Sequence, residues 1–191
     1  MRDVKRMYNA LYKLASAREA ECFLIGCNLA LRAGDLLKLR FDQLKDTHVS
    51  IIEQKTKKRK QFPITPKVHE AVERLRVYYA EGGFYKSKHN WKAEYLFQST
   101  SARAYHLCQP ICIQWLGEKY KEAANDIGIK VNINTHSMRK TYGYHAYENG
   151  ADIHYLQALF NHYSSRITLK YIGVTKTEIE KMYFDHALEI A

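Results

Sequence analysis

NTHSMRKTYGYHAYENGADIHYLQALFNHYSSRITLKYIGV, residues 134–174, decides how this chain is read. It predicts three helices, over about 137–149, 152–160 and 164–172. His136 and Arg139 stand at i and i+3, so on a helix they share a face. An arginine's planar fork of donors beside an imidazole can bind one phosphate. Alone, such an HxxR pair arises often by chance. His145 and His154 lie nearby, but their spacing matches no metal-ligand motif, so no metal is expected. Two tyrosines follow, Tyr163 beside His162 and Tyr171 further on. The chain has 15 tyrosines, so most must serve packing or the surface. Which of these two is a reagent is the question the stretch poses.

Working outward, residues 1–31 read as two helices, with Val4, Met7, Tyr8, Leu11 and Tyr12, then Phe23, Leu24 and Cys27, at helical spacing. A short helix is expected where Asp35, Leu36, Leu37 and Leu39 follow Ala33-Gly34. The pattern then changes. THVSIIEQ reads as a strand, KTKKRK as a turn and QFPIT as a returning strand. Pro66 opens a helix that Gly82-Gly83 closes. Residues 84–93 read as a loop, AEYLFQS as a third strand, 109–126 as a helix, and about 175–188 as a last one. The predicted fold is mainly α with a small antiparallel β-sheet (α+β).

The 191 residues suit one domain, or one with a small appendage. Thirty Lys+Arg against twenty Asp+Glu give a net charge of +10 and a pI near 9.3, the electrostatic footprint of a nucleic-acid binder. Cys22, Cys27, Cys108 and Cys112 form no CxxC pair, which argues against zinc. The charged start, MRDVKRMYNALYK, does not read as a signal peptide, and no apolar stretch is long enough for a membrane span. Reduced thiols and a cytoplasmic location are expected.

Two upstream segments complete the candidate set. LALRAGDLLKLR, residues 29–40, places Arg32 between an apolar helix and a turn, where an arginine can also simply cap a helix C-terminus. EQKTKKRKQFPI, residues 53–64, carries five basic residues among the six from Lys55 to Lys60, at the expected hairpin tip. Lysines on a two-stranded ribbon can reach backbone phosphates; the same density also suits a solvated turn.

Taken together, Arg32, Lys55, His136, Arg139, His162 and Tyr171, in that order and at those separations, resemble the catalytic set of the tyrosine recombinases, the phage-integrase family. LALRAGDLLKLR resembles the family's first arginine box, with Asp35 as its supporting acid. QKTKKRKQFPI resembles its β-hairpin, and LFQS before a long helix also fits. Residues 134–174 resemble its second box nearly end to end, with Phe160-Asn161-His162 where Leu-Gly-His is usual. The resemblance covers about residues 1–175 and implies a tyrosine-recombinase catalytic-domain fold over 1–174. A tail helix over 175–191, possibly exchanged between protomers, is expected to follow, and the family's N-terminal core-binding domain is expected to be absent.

The resemblance also implies a chemistry. Tyr171 would attack a DNA phosphodiester and leave a 3′-phosphotyrosine link. Arg32 and Arg139 would neutralise the nonbridging oxygens. A free phenol titrates near ~10, so it needs help losing its proton. His136 is the implied base or phosphate ligand, His162 a further donor, and Lys55 the acid for the departing 5′ oxygen. Lys57, Lys58, Arg59, Lys60 and Lys140 are assigned to backbone phosphates, which position rather than specify. No metal, ATP or other cofactor is called for. The implied partners are double-stranded DNA, further copies of the chain (a tetramer on DNA) and an accessory DNA-binding protein. Type IB topoisomerase-like nicking and closing, or a DNA-binding remnant without catalysis, are the alternatives.

Overall fold

In a computed structural model of the chain, the structure describes residues 2–81, 93–101, 107–174, 180, 184, 185 and 187. The element order is α1 (Arg2–Leu14), α2 (Ala17–Leu29), α3 (Ala33–Leu37), a 3-10 turn (Phe41–Leu44), β1 (His48–Ile52), β2 (Arg59–Pro63), α4 (Pro66–Glu81), α5 (Ile113–Asp126), α6 (Ser137–Glu148), α7 (Ile153–Phe160) and α8 (Ser165–Ile172). The tail helix expected near 175–188, the Gly82-Gly83 stop and residues 84–92 of the expected loop lie essentially outside the described residues. The chain divides into two compact units, Met1–Arg139 and Lys140–Ala191.

Unit one is built around α2, which is buried on nearly every side. A helix so enclosed must satisfy its own charges, because a buried unpaired charge is costly. Glu21 is fully buried and accepts from Arg74 of α4 (2.5 and 2.9 Å) and from the Tyr8 hydroxyl of α1 (2.7 Å). Glu19 accepts from Arg18 (Nε, 3.0 Å) and Trp115 Nε1 (3.1 Å). At its start Ser16 accepts from Arg18 N–H and donates to Glu19, an S-x-x-E capping arrangement. The surrounding helices show one apolar face each. On α4 it is Val68, Ala71, Val72 and Leu75; on α5 it is Leu116, Tyr120, Ala123 and Ala124.

The sheet is a two-stranded antiparallel hairpin pairing Val49 with Phe62 and Ile51 with Lys60. Both strands differ from the expected spans. β1 stops at Ile52, because Glu53 and Gln54 belong to the turn, where Glu53 N–H donates to Lys58 O (3.0 Å) and Lys57 N–H to Glu53 O (2.9 Å). β2 begins at Arg59, so Arg59 and Lys60 are strand residues rather than turn residues.

The expected third strand at AEYLFQS is absent among the described residues. Phe41 N–H donates to Glu94 O and Leu96 N–H to Leu39 O, which joins the segment to the chain after α3, not to the hairpin. Leu96 and Phe97 are both fully buried, which a half-buried strand with alternating faces does not allow. The helix expected from 109 begins at Ile113. Ser99 N–H to Gln109 O and Ile111 N–H to Phe97 O hold the preceding residues extended, and Cys112 Sγ caps the helix by accepting from Trp115 N–H.

Unit two contains most of α6, then α7 and α8. Asp152 and Ser164 cap α7 and α8 by accepting from His154 N–H (2.7 Å) and Ile167 N–H (3.4 Å). Asn161 ends α7 in the left-handed region (φ 58), a conformation glycine takes freely and asparagine tolerates. Asparagine therefore serves where the resembled family usually has glycine. A methyl at Gly143 of α6 would meet Ile172 Cγ2 and Phe160 Cζ at 2.6 Å, so a residue without Cβ is needed for α6 to approach α7 and α8 this closely.

Candidate active site

Arg32 is the N-cap residue of α3, at the α2–α3 junction. Its own carbonyl accepts from Asp35 and Leu36 N–H, which fixes the backbone and directs the side chain across to the hairpin. There Nη1 donates to Glu53 Oε1 at 2.7 Å. Glu53 is 4% exposed, and its other oxygen accepts from Thr56 Oγ1 at 2.6 Å. Burial works against this carboxylate. Hydrogen bonds from Thr56 and Arg32, and the charge of Arg32, outweigh it and hold the pKa below the ordinary value. One buried carboxylate thus ties Arg32 to the turn that carries Lys55. Asp35, also buried, accepts from Gln54 N–H (2.9 Å) through Oδ1; among the described residues Oδ2 has no hydrogen-bond partner.

Arg139 is buried, and its Nη1 donates to Ala30 O at the C-terminal end of α2, where Ala30 takes a left-handed conformation (φ 52). A guanidinium suits such an end, since the terminal carbonyls lack helical partners and carry the negative pole. Met138 anchors the start of α6 beside it. Tyr120 Oη donates to its Sδ (3.2 Å), and a methyl at Gly26 would run into that same sulfur. His136 precedes α6 in a turn where its N–H donates to Asn134 Oδ1 (2.9 Å), and its side chain is exposed. It therefore lies before the helix rather than on a face shared with the buried Arg139.

Of the six residues from Lys55 to Lys60, Lys55, Lys57, Lys58 and Arg59 are exposed and Lys60 is half-buried. Burial and then the Arg139 charge push the Lys60 ammonium down to about 8, with Arg32 adding to the effect and Glu53 and Asp35 opposing it. Unit one therefore gathers Arg32, Arg139, Lys60, Glu53 and Asp35. A groove of about 600 Å³ runs beside the hairpin and includes Asp35, Lys38, Lys57 and Arg59 in its lining.

In unit two, His162 follows the C-cap of α7, its N–H donating to Gln157 O (3.0 Å). Its Nδ1 lies 3.1 Å from Thr168 Oγ1 of α8, and that hydroxyl's one proton goes to Ser164 O (3.2 Å). The contact orients the imidazole against α8. Tyr171, in the last turn of α8, meets His162 edge-on with ring centroids 5.0 Å apart and Phe160 at 5.4 Å. Lys140 Nζ lies 5.5 Å from the centre of the Tyr171 ring. Tyr163 is 94% exposed.

Glu53 and Thr168 were not among the residues singled out from the sequence. A glutamate at a strand end and a threonine inside a helix carry no local signal; their importance comes from partners distant in the chain or one helical turn away. Among the described residues no group of three His, Cys, Asp or Glu is placed to hold a metal, and no helix is long and apolar enough to cross a membrane. The four cysteines are free thiols.

The chain matches the profile of the phage integrase family over residues 1–178. It is 32% identical over 167 residues to the probable integrase/recombinase YoeC of Bacillus subtilis (strain 168), covering 87% of this chain and 83% of that protein. It is 31% identical over 75 residues to tyrosine recombinase XerD of Staphylococcus aureus (strain N315), 39% of this chain and 25% of that protein. Among solved structures, XerA recombinase superposes with a TM-score of 0.71 at 18% identity, over 100% of this chain and 63% of that one. The catalytic domain of bacteriophage HP1 integrase gives 0.61 at 17%, over 98% and 92%. XerH site-specific recombinase, bound to palindromic difH substrate in a post-cleavage complex, gives 0.69 at 15%, over 94% and 49%. The chain thus spans less than two thirds of XerA and about half of XerH. With the fold of a tyrosine-recombinase catalytic domain and a family match along nearly its whole length, this chain belongs to the phage integrase family.

Proposed function

We propose that this protein is a DNA strand transferase that cleaves and rejoins DNA through a covalent 3′-phosphotyrosine at Tyr171. The observation that carries the choice of nucleophile is the setting of the two tyrosines. Tyr171 lies against His162 with a lysine ammonium near its ring, whereas Tyr163 stands in solvent. A cation near a phenol favours its ionised form.

In this mechanism Arg32 and Arg139 bind the nonbridging oxygens of the scissile diester and take up the extra negative charge of the pentacoordinate transition state. Tyr171 Oη forms the new O–P bond. Its proton passes to a base, His136 by family resemblance, and the P–O5′ bond breaks. The departing 5′ oxygen takes a proton from Lys55. His162, by family resemblance, supplies a further donor to the phosphate. The new ester conserves the bond, so a 5′ hydroxyl from a second strand reverses the step and exchanges strands without ATP. The partner is duplex DNA, bound by several copies of the chain, with an accessory DNA-binding protein contributing to site choice.

The test is a nicked suicide duplex, which traps the adduct. Wild type and Tyr163→Phe form it and Tyr171→Phe does not; an adduct that survives Tyr171→Phe sinks the assignment. Joining of two duplexes, rather than relaxation of one plasmid, separates recombination from nicking and closing. Salt-dependent binding without any adduct identifies a non-catalytic binder.

A further inference from the structure

The basic residues of the hairpin are not one patch. Alternation along β2 turns Arg59, Gln61 and Pro63 to one side and Lys60 and Phe62 to the other. Phe62 is buried opposite Val49, and Lys60, opposite Ile51, is the next residue of that inward row toward the turn. It is half-buried where Lys55, Lys57, Lys58 and Arg59 are exposed. The charges acting on it come from four places in unit one: Arg139 in α6, Arg32 at the α2–α3 junction, Glu53 in the hairpin turn and Asp35 in α3.

These five groups, three cations and two carboxylates, carry one net positive charge when all are ionised. Three cations drawn together with partial loss of water repel one another; burial first, and then the charges of Arg139 and Arg32, work against the ionised form of Lys60. An anion of one charge relieves that repulsion, and a phosphodiester has one charge.

The geometry points to Lys60 as a third cation of the phosphate site, placing its ammonium on a nonbridging oxygen of the scissile diester beside Arg32 and Arg139. This rests on the strand-transfer reading. It moves Lys60 from general backbone contact at the hairpin tip to the reacting phosphate, and leaves Lys55 its separate place on the turn.

The experiment compares adduct formation by wild type, Lys60→Gln and Lys60→Arg on two suicide duplexes, one with the natural diester and one with a neutral methylphosphonate at the scissile position. On the diester Lys60→Gln is expected to be slower by about 100-fold, the scale of losing one charge-stabilising donor, and Lys60→Arg to recover most of the rate. On the methylphosphonate, which lacks the charge to be neutralised, Lys60→Gln is expected to fall within about threefold of wild type. The ratio between the two substrates within one preparation does not depend on the fraction folded, and Lys60→Ala supplies it should Lys60→Gln not fold. A wild-type rate for Lys60→Gln on the diester, or the same penalty on both substrates, overturns the role of Lys60 alone. A wild-type protein that forms no Tyr171-linked adduct on the diester overturns the strand-transfer reading, and this inference with it.

Discussion

Glu53 joins two of the site's parts through one carboxylate, with one oxygen on Arg32 and the other on Thr56 of the turn beside Lys55. Glu53→Gln keeps the shape but sets an amide NH₂ against one of these donors. Stability should fall by about 1–3 kcal/mol, and adduct formation by about tenfold or more (~1.4 kcal/mol of transition-state stabilisation), with duplex affinity little changed. Urea unfolding, single-turnover cleavage and gel shifts measure the three. The pH dependence has a definite sign. A carboxylate whose folded pKa lies below its unfolded one stabilises the fold above the unfolded value, about 4.3, and loses that contribution as pH falls through the folded value. Glu53→Gln should therefore lose less stability than wild type on acidification below about pH 4.3. Equal acid sensitivity in the two proteins would remove Glu53 from this account. No local pattern marks Glu53, because its two side-chain partners include Arg32, from a different element.

Among the elements, α6, α7 and α8 show how a short local pattern becomes a site. Asn161 and Gly173 end α7 and α8 in left-handed conformations, and the capping side chains of Asp152 and Ser164 start them. These are local signals, so the predicted spans lie within a residue or two of the observed ones. Gly143 is different. Only the packed structure shows that a methyl there meets Ile172 and Phe160 at 2.6 Å, on the residues flanking His162 and Tyr171. Gly143→Ala gains about 1 kcal/mol of helix propensity, yet the overpacking costs about 1–3 kcal/mol. The net expectation is lower stability and a slower adduct step, read by thermal unfolding and cleavage kinetics; a stabilised, fully active variant would show that α8 yields freely. AEYLFQS reads as a third strand in the sequence, but its partners are the chain after α3 and residues 109–111, and no local pattern specifies a partner.

For the whole molecule, the +10 charge predicts binding that weakens steeply with salt. The exposed Lys57 and Lys58 are assigned to phosphates, so Lys57→Ala/Lys58→Ala should reduce the slope of log K against log[salt] by about 2 and weaken binding similarly on all sequences. Fluorescence anisotropy over a salt series measures both; an unchanged slope would place these lysines in solvent. The charge suits the proposed strand transfer, since an enzyme that holds a polyanion needs a surplus of cations.

Read alone, the sequence determined the helical architecture with its hairpin, and through the family resemblance it named Arg32, Arg139, His162 and Tyr171 as candidates. Helical periodicity, caps and the spacing of reactive residues are properties of neighbouring positions, and they survive without knowledge of the fold. Only the tertiary structure decided that Glu53 holds Arg32, that Ala30 receives Arg139, that Thr168 meets Nδ1 of His162, and that Lys60 alone among the hairpin's exposed-looking cations turns inward. Each of these depends on which side of an element a group faces or on a partner in another element, and chain closure, not local preference, sets those distances.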